Sequence, residues 1–153
     1  MRGFTLIELL VVVGVIMLLM SIVMVSLSGA RGQGNTAAVQ GDLSTIQTQG
    51  VLYFEIGRTF GATNTGSGAS CAPSSDGVFR DESTTIEDRV GAAIAAAQTH
   101  ANGGAAEVYC RSTATAFLVA AKLPNEKYWC VDSIGSAKEK DTAPGNTRTD
   151  CNY

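Results

Sequence analysis

Glu8 is the residue whose placement asks for chemistry. It is the only charge between Arg2 and Arg31, and it stands one turn into the uninterrupted apolar run Leu6–Leu27. A charge at the centre of a membrane helix costs about 2.5–3.5 kcal/mol on insertion scales, and less near the interface. Two arrangements relieve that cost. The side chain can reach the headgroup level and snorkel into water, or it can find a positive partner. The nearest natural partner is a free α-amino group, which a new N-terminus at Phe4 would create one helical turn upstream. Within one helix the two groups meet only loosely, whereas neighbouring staggered helices pair them well.

Other side chains with chemical potential form no recognisable constellation. His100 is the single histidine and has no cysteine or acidic neighbour at ligand or triad spacing, so it reads as a surface residue. Asp132, Glu139 and Asp141 offer oxygen ligands suited to Ca²⁺, but their spacing matches no calcium motif and no metal is assigned. Phosphate-loop, nucleophile-elbow, zinc-protease and EF-hand patterns are missing from the sequence, so catalysis has no support and no cofactor is implied. Cys71, Cys110, Cys130 and Cys151 all follow the apolar run, widely spaced and without a CxxC pair. That spacing disfavours zinc and thioredoxin-like chemistry and favours two disulfides in an extracytoplasmic domain. With a net charge of −3, and basic residues of the C-terminal third interleaved with acidic ones, nucleic-acid binding is not supported.

The apolar run sets the compartment. Its roughly 22 residues span about 33 Å as a helix, enough to cross a bilayer. A secretory signal would have a basic start, a shorter apolar core and a small-residue cleavage site after it, whereas only Met1 to Thr5 precede this segment, with Arg2 their one basic residue. The run is therefore read as retained.

Gly3 followed by Phe4-Thr5-Leu6-Ile7-Glu8-Leu9-Leu10-Val11-Val12-Val13 resembles the prepilin motif of type IV pilins and type II secretion pseudopilins. The resemblance implies a precursor cut by a prepilin peptidase between Gly3 and Phe4, with Phe4 then N-methylated. It implies that Glu8 neutralises the terminal amine of an adjacent subunit during assembly, with Thr5 as the companion hydroxyl. Two features depart from the family pattern. The leader is short, with Arg2 as its one basic side chain, and the apolar helix carries no proline. Gly14, Gly29, Gly32 and Gly34 are placed to loosen the helix instead, since each glycine weakens a helix interior by about 1 kcal/mol relative to alanine.

Downstream, Arg31-Gly32-Gln33-Gly34-Asn35 reads by composition as a break or flexible joint. Helical periodicity resumes at Val39, Leu43, Ile46, Gly50 and Tyr53, one apolar stripe with Gln40, Asp42, Gln47 and Gln49 largely off it. The helix is expected to end near Gly57, before a polar loop through Gly61–Gly68 to Cys71 and Pro73. A second helix is expected from Thr84, which has capping-box spacing to Glu87, with Ile86, Val90, Ile94 and Ala97 on one face. Asn102-Gly103-Gly104 should stop it. Strands are expected at Val108–Cys110, Ala114–Lys122 and Tyr128–Ser133, with a hairpin over Leu123-Pro124-Asn125-Glu126. Phe117 and Val119 share one strand face, opposite Leu118 and Ala120, and the Phe117 face is expected on the helix stripe. Tyr128 and Trp129 fall on opposite faces. The tail Gly135–Tyr153 shows no regular pattern.

These readings describe an α+β, pilin-like fold. A long N-terminal helix, apolar in its first half and amphipathic in its second, packs on a small antiparallel sheet held by disulfides. The expected organisation is a leader at 1–3, a transmembrane or filament-core segment at 4–28 and an extracytoplasmic head at 29–153. Joining Cys130 to Cys151 would resemble the disulfide-bounded C-terminal loop of type IV pilins and leave Cys71 for Cys110. Four cysteines allow three connectivities, and spacing does not choose among them. The implied partners are other copies of the chain in a helical polymer, prepilin peptidase, an assembly platform protein with its ATPase, and the inner membrane before extrusion into an extracellular filament. A major pilin is the leading expectation. A minor pilin or pseudopilin shares the same N-terminus, and a single-pass membrane-anchored binding or enzymatic domain is the rival from another class.

Overall fold

Two compact units make up the chain, Met1–Gly34 and Asn35–Tyr153. A computed structural model describes residues 4–61, 64–67, 71, 77–79 and 86–153. Helix α1 (Leu6–Gly57) contributes to both units. Contrary to expectation, it is not interrupted at Arg31–Asn35. An isolated glycine costs a helix about 1 kcal/mol but breaks it only where the backbone must turn, and no glycine of this stretch takes a positive φ. The helix ends at Gly57, where expected, yet the left-handed residue that closes it is Arg58, at φ 58°, whose N–H donates to the Phe54 carbonyl at 2.6 Å.

In the second unit, five strands form one antiparallel meander in the order β1 (Asn64–Ser67), β2 (Val108–Ser112), β3 (Phe117–Lys122), β4 (Tyr128–Asp132) and β5 (Ala137–Lys140). Cys110 pairs with Val119, and Val119 with Val131, which fixes the faces across the three central strands. β3 begins three residues later than the sequence suggests. Thr113–Ala116 instead make a tight turn, in which Thr113 Oγ1 accepts from Ala116 N–H and the Ala116 carbonyl accepts from Thr113 N–H. The two edge strands were not expected. Neither Asn-Thr-Gly-Ser nor Ala-Lys-Glu-Lys carries an apolar alternation, and main-chain pairing to a neighbour is what makes them strands. Charge on an exposed edge also suits β5, because it discourages further pairing.

The inner face of the sheet packs on both helices. Val39, Leu43, Ile46 and Gly50 of α1 are buried as the stripe predicts, against Phe117, Val119, Ala121 and Val131. α2 (Ile86–His100) adds Val90, Ala93, Ile94 and Ala97. The expected capping residue Thr84 lies outside the described residues, as does Pro73. α2 ends at His100, and Gly103, at φ 95°, begins the short 3₁₀ turn Gly104–Glu107 that leads into β2. Aromatic rings complete this core. Phe60 stacks on Phe54 at 4.7 Å and meets Phe117 edge-on at 5.0 Å.

The outer face is covered too. Leu118, Ala120 and Cys130 are fully buried beneath Cys151 and the ring of Tyr153. The tail is thus a strap on the sheet, not a free segment. It is joined by the Cys130–Cys151 disulfide, while Cys71–Cys110 lies on the helix side. This is the connectivity that the resemblance favoured. Trp129 is half-buried against the main core, and Tyr128, on the opposite face, donates its hydroxyl to Glu107 at 2.7 Å.

Gly50 explains how closely α1 approaches the sheet. A Cβ built there would stand 2.7 Å from Phe117 Cε1, closer than real contacts allow. Gly50→Ala is therefore expected to lower stability by about 1–3 kcal/mol through overpacking. Gly41→Ala, on the same helix with open space around it, should raise stability by up to about 1 kcal/mol. Thermal unfolding of both variants checks the contrast, and equal effects would contradict it.

Candidate functional site

The first unit is nearly all apolar side chain on a helix, and among its described residues nothing covers it. Phe4, Leu6 and Ile7 are 79%, 80% and 70% exposed, and large aliphatic residues remain uncovered as far as Leu27. An 18-residue window of α1 reaches a mean hydropathy of 3.0 with none of it buried. Such a surface is insoluble on its own and must meet lipid or protein. The backbone suits lipid, since a helix satisfies its own amide groups. Ser21 is likewise satisfied, donating its hydroxyl to the Leu18 carbonyl at 2.8 Å.

At the start of this helix Thr5 and Glu8 form a reciprocal cap. Thr5 is the residue before the first helical position, so Glu8 is the third residue of the helix. Glu8 Oε2 accepts from the Thr5 backbone N–H at 2.9 Å and from the Thr5 hydroxyl at 2.7 Å. Thr5 Oγ1 accepts in turn from the Glu8 N–H at 3.4 Å. This is a capping box, which satisfies helix N–H groups that have no intrahelical partner. An anion in the first turn also faces the positive end of the helix dipole. The signal was present in the sequence as Thr-x-x-Glu at Thr5 and Glu8, but there it was read only for its charge and its hydroxyl.

The cap stabilises the carboxylate without neutralising it. A carboxylate offers about four acceptor positions. Here both hydrogen bonds fall on Oε2, and among the described residues Oε1 receives no donor. Phe4 stands just outside the helix, and its N–H takes no part in the box. Gly3 lies outside the described residues.

The remaining candidate residues are occupied structurally. Asp132 is fully buried, and its carboxylate accepts three backbone N–H groups, from Ile134 and Ser136 on Oδ1 and from Cys151 on Oδ2. Glu139 and Asp141 share Lys127, at 3.1 and 3.3 Å. The hydrogen bond from Asn125, with the Lys127 ammonium beside it, holds the Glu139 carboxyl below the usual carboxylate range. The three acidic residues considered for a cation are therefore engaged with donors of the chain itself. His100 is partly exposed and has an acidic partner that sequence spacing did not suggest. Its Nδ1 lies 3.1 Å from Asp42 Oδ2, a partner 58 positions away that no local pattern reveals.

Among known proteins, residues 1–24 match the family model described as the prokaryotic N-terminal methylation motif. No curated protein and no solved structure matches the chain. The N-terminus thus carries the class III signal of type IV pilins and pseudopilins, a structural class of protein, on an apolar helix that fits a membrane-anchored precursor.

The capping box has a direct consequence. Thr5→Val keeps the side-chain volume but removes the hydroxyl, and should fray the first turn at a cost of about 0.5–2 kcal/mol. Thr5→Ser should retain the cap. Amide exchange at Glu8 and Leu9 in detergent micelles is expected to accelerate in the first variant and not in the second.

Proposed function

We propose that this chain is the precursor of a filament subunit, most specifically a type IV pilus subunit. A prepilin peptidase cuts it between Gly3 and Phe4, methylates it on Phe4, and the product polymerises through α1. The methylation motif supports the pilin or pseudopilin class, and the uncovered apolar helix supports both membrane storage and a helical bundle of copies.

One observation carries the reading: a carboxylate half satisfied by its own helix is the one charge in an otherwise overwhelmingly apolar surface. Thr5 supplies hydrogen bonds to Oε2 but no charge. Hydrolysis of the Gly3–Phe4 bond would place an ammonium on Phe4, one residue before the cap. The box is closed by the Thr5 N–H, so that ammonium is not consumed within its own helix. It is left to meet Glu8 Oε1 of an adjacent copy. In a medium of low dielectric such a pair is far stronger than in water, and an unpaired carboxylate is correspondingly costly.

Two experiments test this reading. N-terminal sequencing and intact mass of the mature chain should show a first residue Phe4 carrying one methyl group; a chain still beginning at Met1 would overturn the processing step. Glu8→Gln separates the two roles of the side chain, because glutamine still closes a capping box but carries no charge. Insertion into the membrane should be unchanged in Glu8→Gln, while filament yield falls as far as in Glu8→Ala. Wild-type filament yield in Glu8→Gln would show that capping, and not charge, is what Glu8 contributes.

A further inference from the structure

One buried residue connects the two coverings of the sheet. Asp132, at the end of β4, is wholly inaccessible to solvent. Toward the outer face its Oδ2 accepts the Cys151 N–H at 2.9 Å, next to the Cys130–Cys151 disulfide. Within the β4–β5 turn its Oδ1 accepts the N–H groups of Ile134 and Ser136, at 3.1 and 2.9 Å. The turn so shaped presents two carbonyls, of Asp132 and Ser136, to the same side-chain nitrogen of α1. Gln47 Nε2 donates to them at 2.8 and 2.9 Å. A continuous hydrogen-bonded path thus runs from the C-terminal strap, through one carboxylate and one turn, to the helix on the opposite face.

We infer that the strap and Asp132 act as a latch on α1, so that docking of Leu43–Gly50 onto the sheet depends on the Cys130–Cys151 disulfide being closed. The physical reason lies in the cost of a buried carboxylate that loses a donor. With the strap in place, Asp132 has a donor on each oxygen and shapes the turn. With the strap gone, Oδ2 is open to water, and a buried anion deprived of a partner relaxes toward solvent. That movement withdraws the Ile134 and Ser136 N–H bonds, and the two carbonyls lose the alignment that lets one amide nitrogen serve both. The rest of the strap's anchorage also comes from the outer face. Arg111 Nη2 reaches Asn146 Oδ1 at 3.4 Å, Lys138 bonds Asn152, and the Lys140 ammonium lies 4.6 Å from the centre of the Tyr153 ring. None of these contacts reaches α1; the Asp132 path does. A subunit whose last disulfide has not closed therefore holds its helix more loosely than a finished one. This follows from the head alone and does not rest on the filament reading.

Hydrogen exchange on the full chain in detergent micelles tests the latch. In Cys130→Ala/Cys151→Ala, amides of residues 43–50 should exchange about tenfold faster, beyond any change produced by Cys71→Ala/Cys110→Ala, a disulfide of the other face. Gln47→Met removes the donor while keeping the side chain's length. In that background, opening the strap should add nothing further at residues 43–50, the non-additivity expected of one network. Unaltered exchange at 43–50 with the strap open would overturn the inference, and so would an equal effect from the two disulfide pairs or strictly additive effects with Gln47→Met. If the strap variant does not fold, the unaltered protein decides. Under increasing denaturant, residues 43–50 and the amide of Cys151 should open with the same free energy, and separate opening energies would refute the latch.

Discussion

The second unit is organised around a strand that tolerates water on neither side. Phe117, Leu118, Val119, Ala120 and Ala121 are all fully buried, so β3 needs a cover on each face. Helices supply one. The stripe of α1 lies over Phe117 and Val119, and its approach is set by Gly50, where any side chain would meet the Phe117 ring. The other cover is the irregular strap over Leu118 and Ala120, too poor in apolar residues to stay by hydrophobic burial alone. It is therefore held covalently at Cys130–Cys151 and by hydrogen bonds from the polar residues of the outer face. In a chain-entropy picture a loop of this size is stabilised by about 3 kcal/mol on closure.

The first unit follows the opposite rule. Its described side chains are mostly apolar and lie exposed, so its stability depends on the medium it enters. The one carboxylate in this surface is accommodated in two stages. Capping by Thr5 makes the charged residue a favourable start to the helix. On the proposed function the charge itself is left for a partner outside the chain. The same side chain thus serves local folding and, on the proposed function, assembly, using different oxygens.

Much of this was legible in the residues. The period of α1, the burial of Leu43 and Ile46, the opposed faces of β3 and the anomalous Glu8 all follow from side-chain type and spacing, because helix and strand periods project directly onto sequence. The edge strands β1 and β5 were not legible, since their order comes from main-chain bonds to a neighbour and not from their side chains. The same holds for Gln47 and His100. Each looks like a flanking polar residue until the fold brings up the turn carbonyls or Asp42.

By itself, then, the sequence determined what is local: a membrane-length apolar helix, a lone charge in it with a hydroxyl three residues before, an amphipathic continuation and a strand with apolar residues on both faces. Tertiary structure alone decided which cysteine meets which, and that Asp132 serves as an internal acceptor and not a surface ligand. Those outcomes depend on contacts between residues tens of positions apart. Periodicity carries no information about such contacts, because it records only which way a side chain faces and not what arrives to meet it.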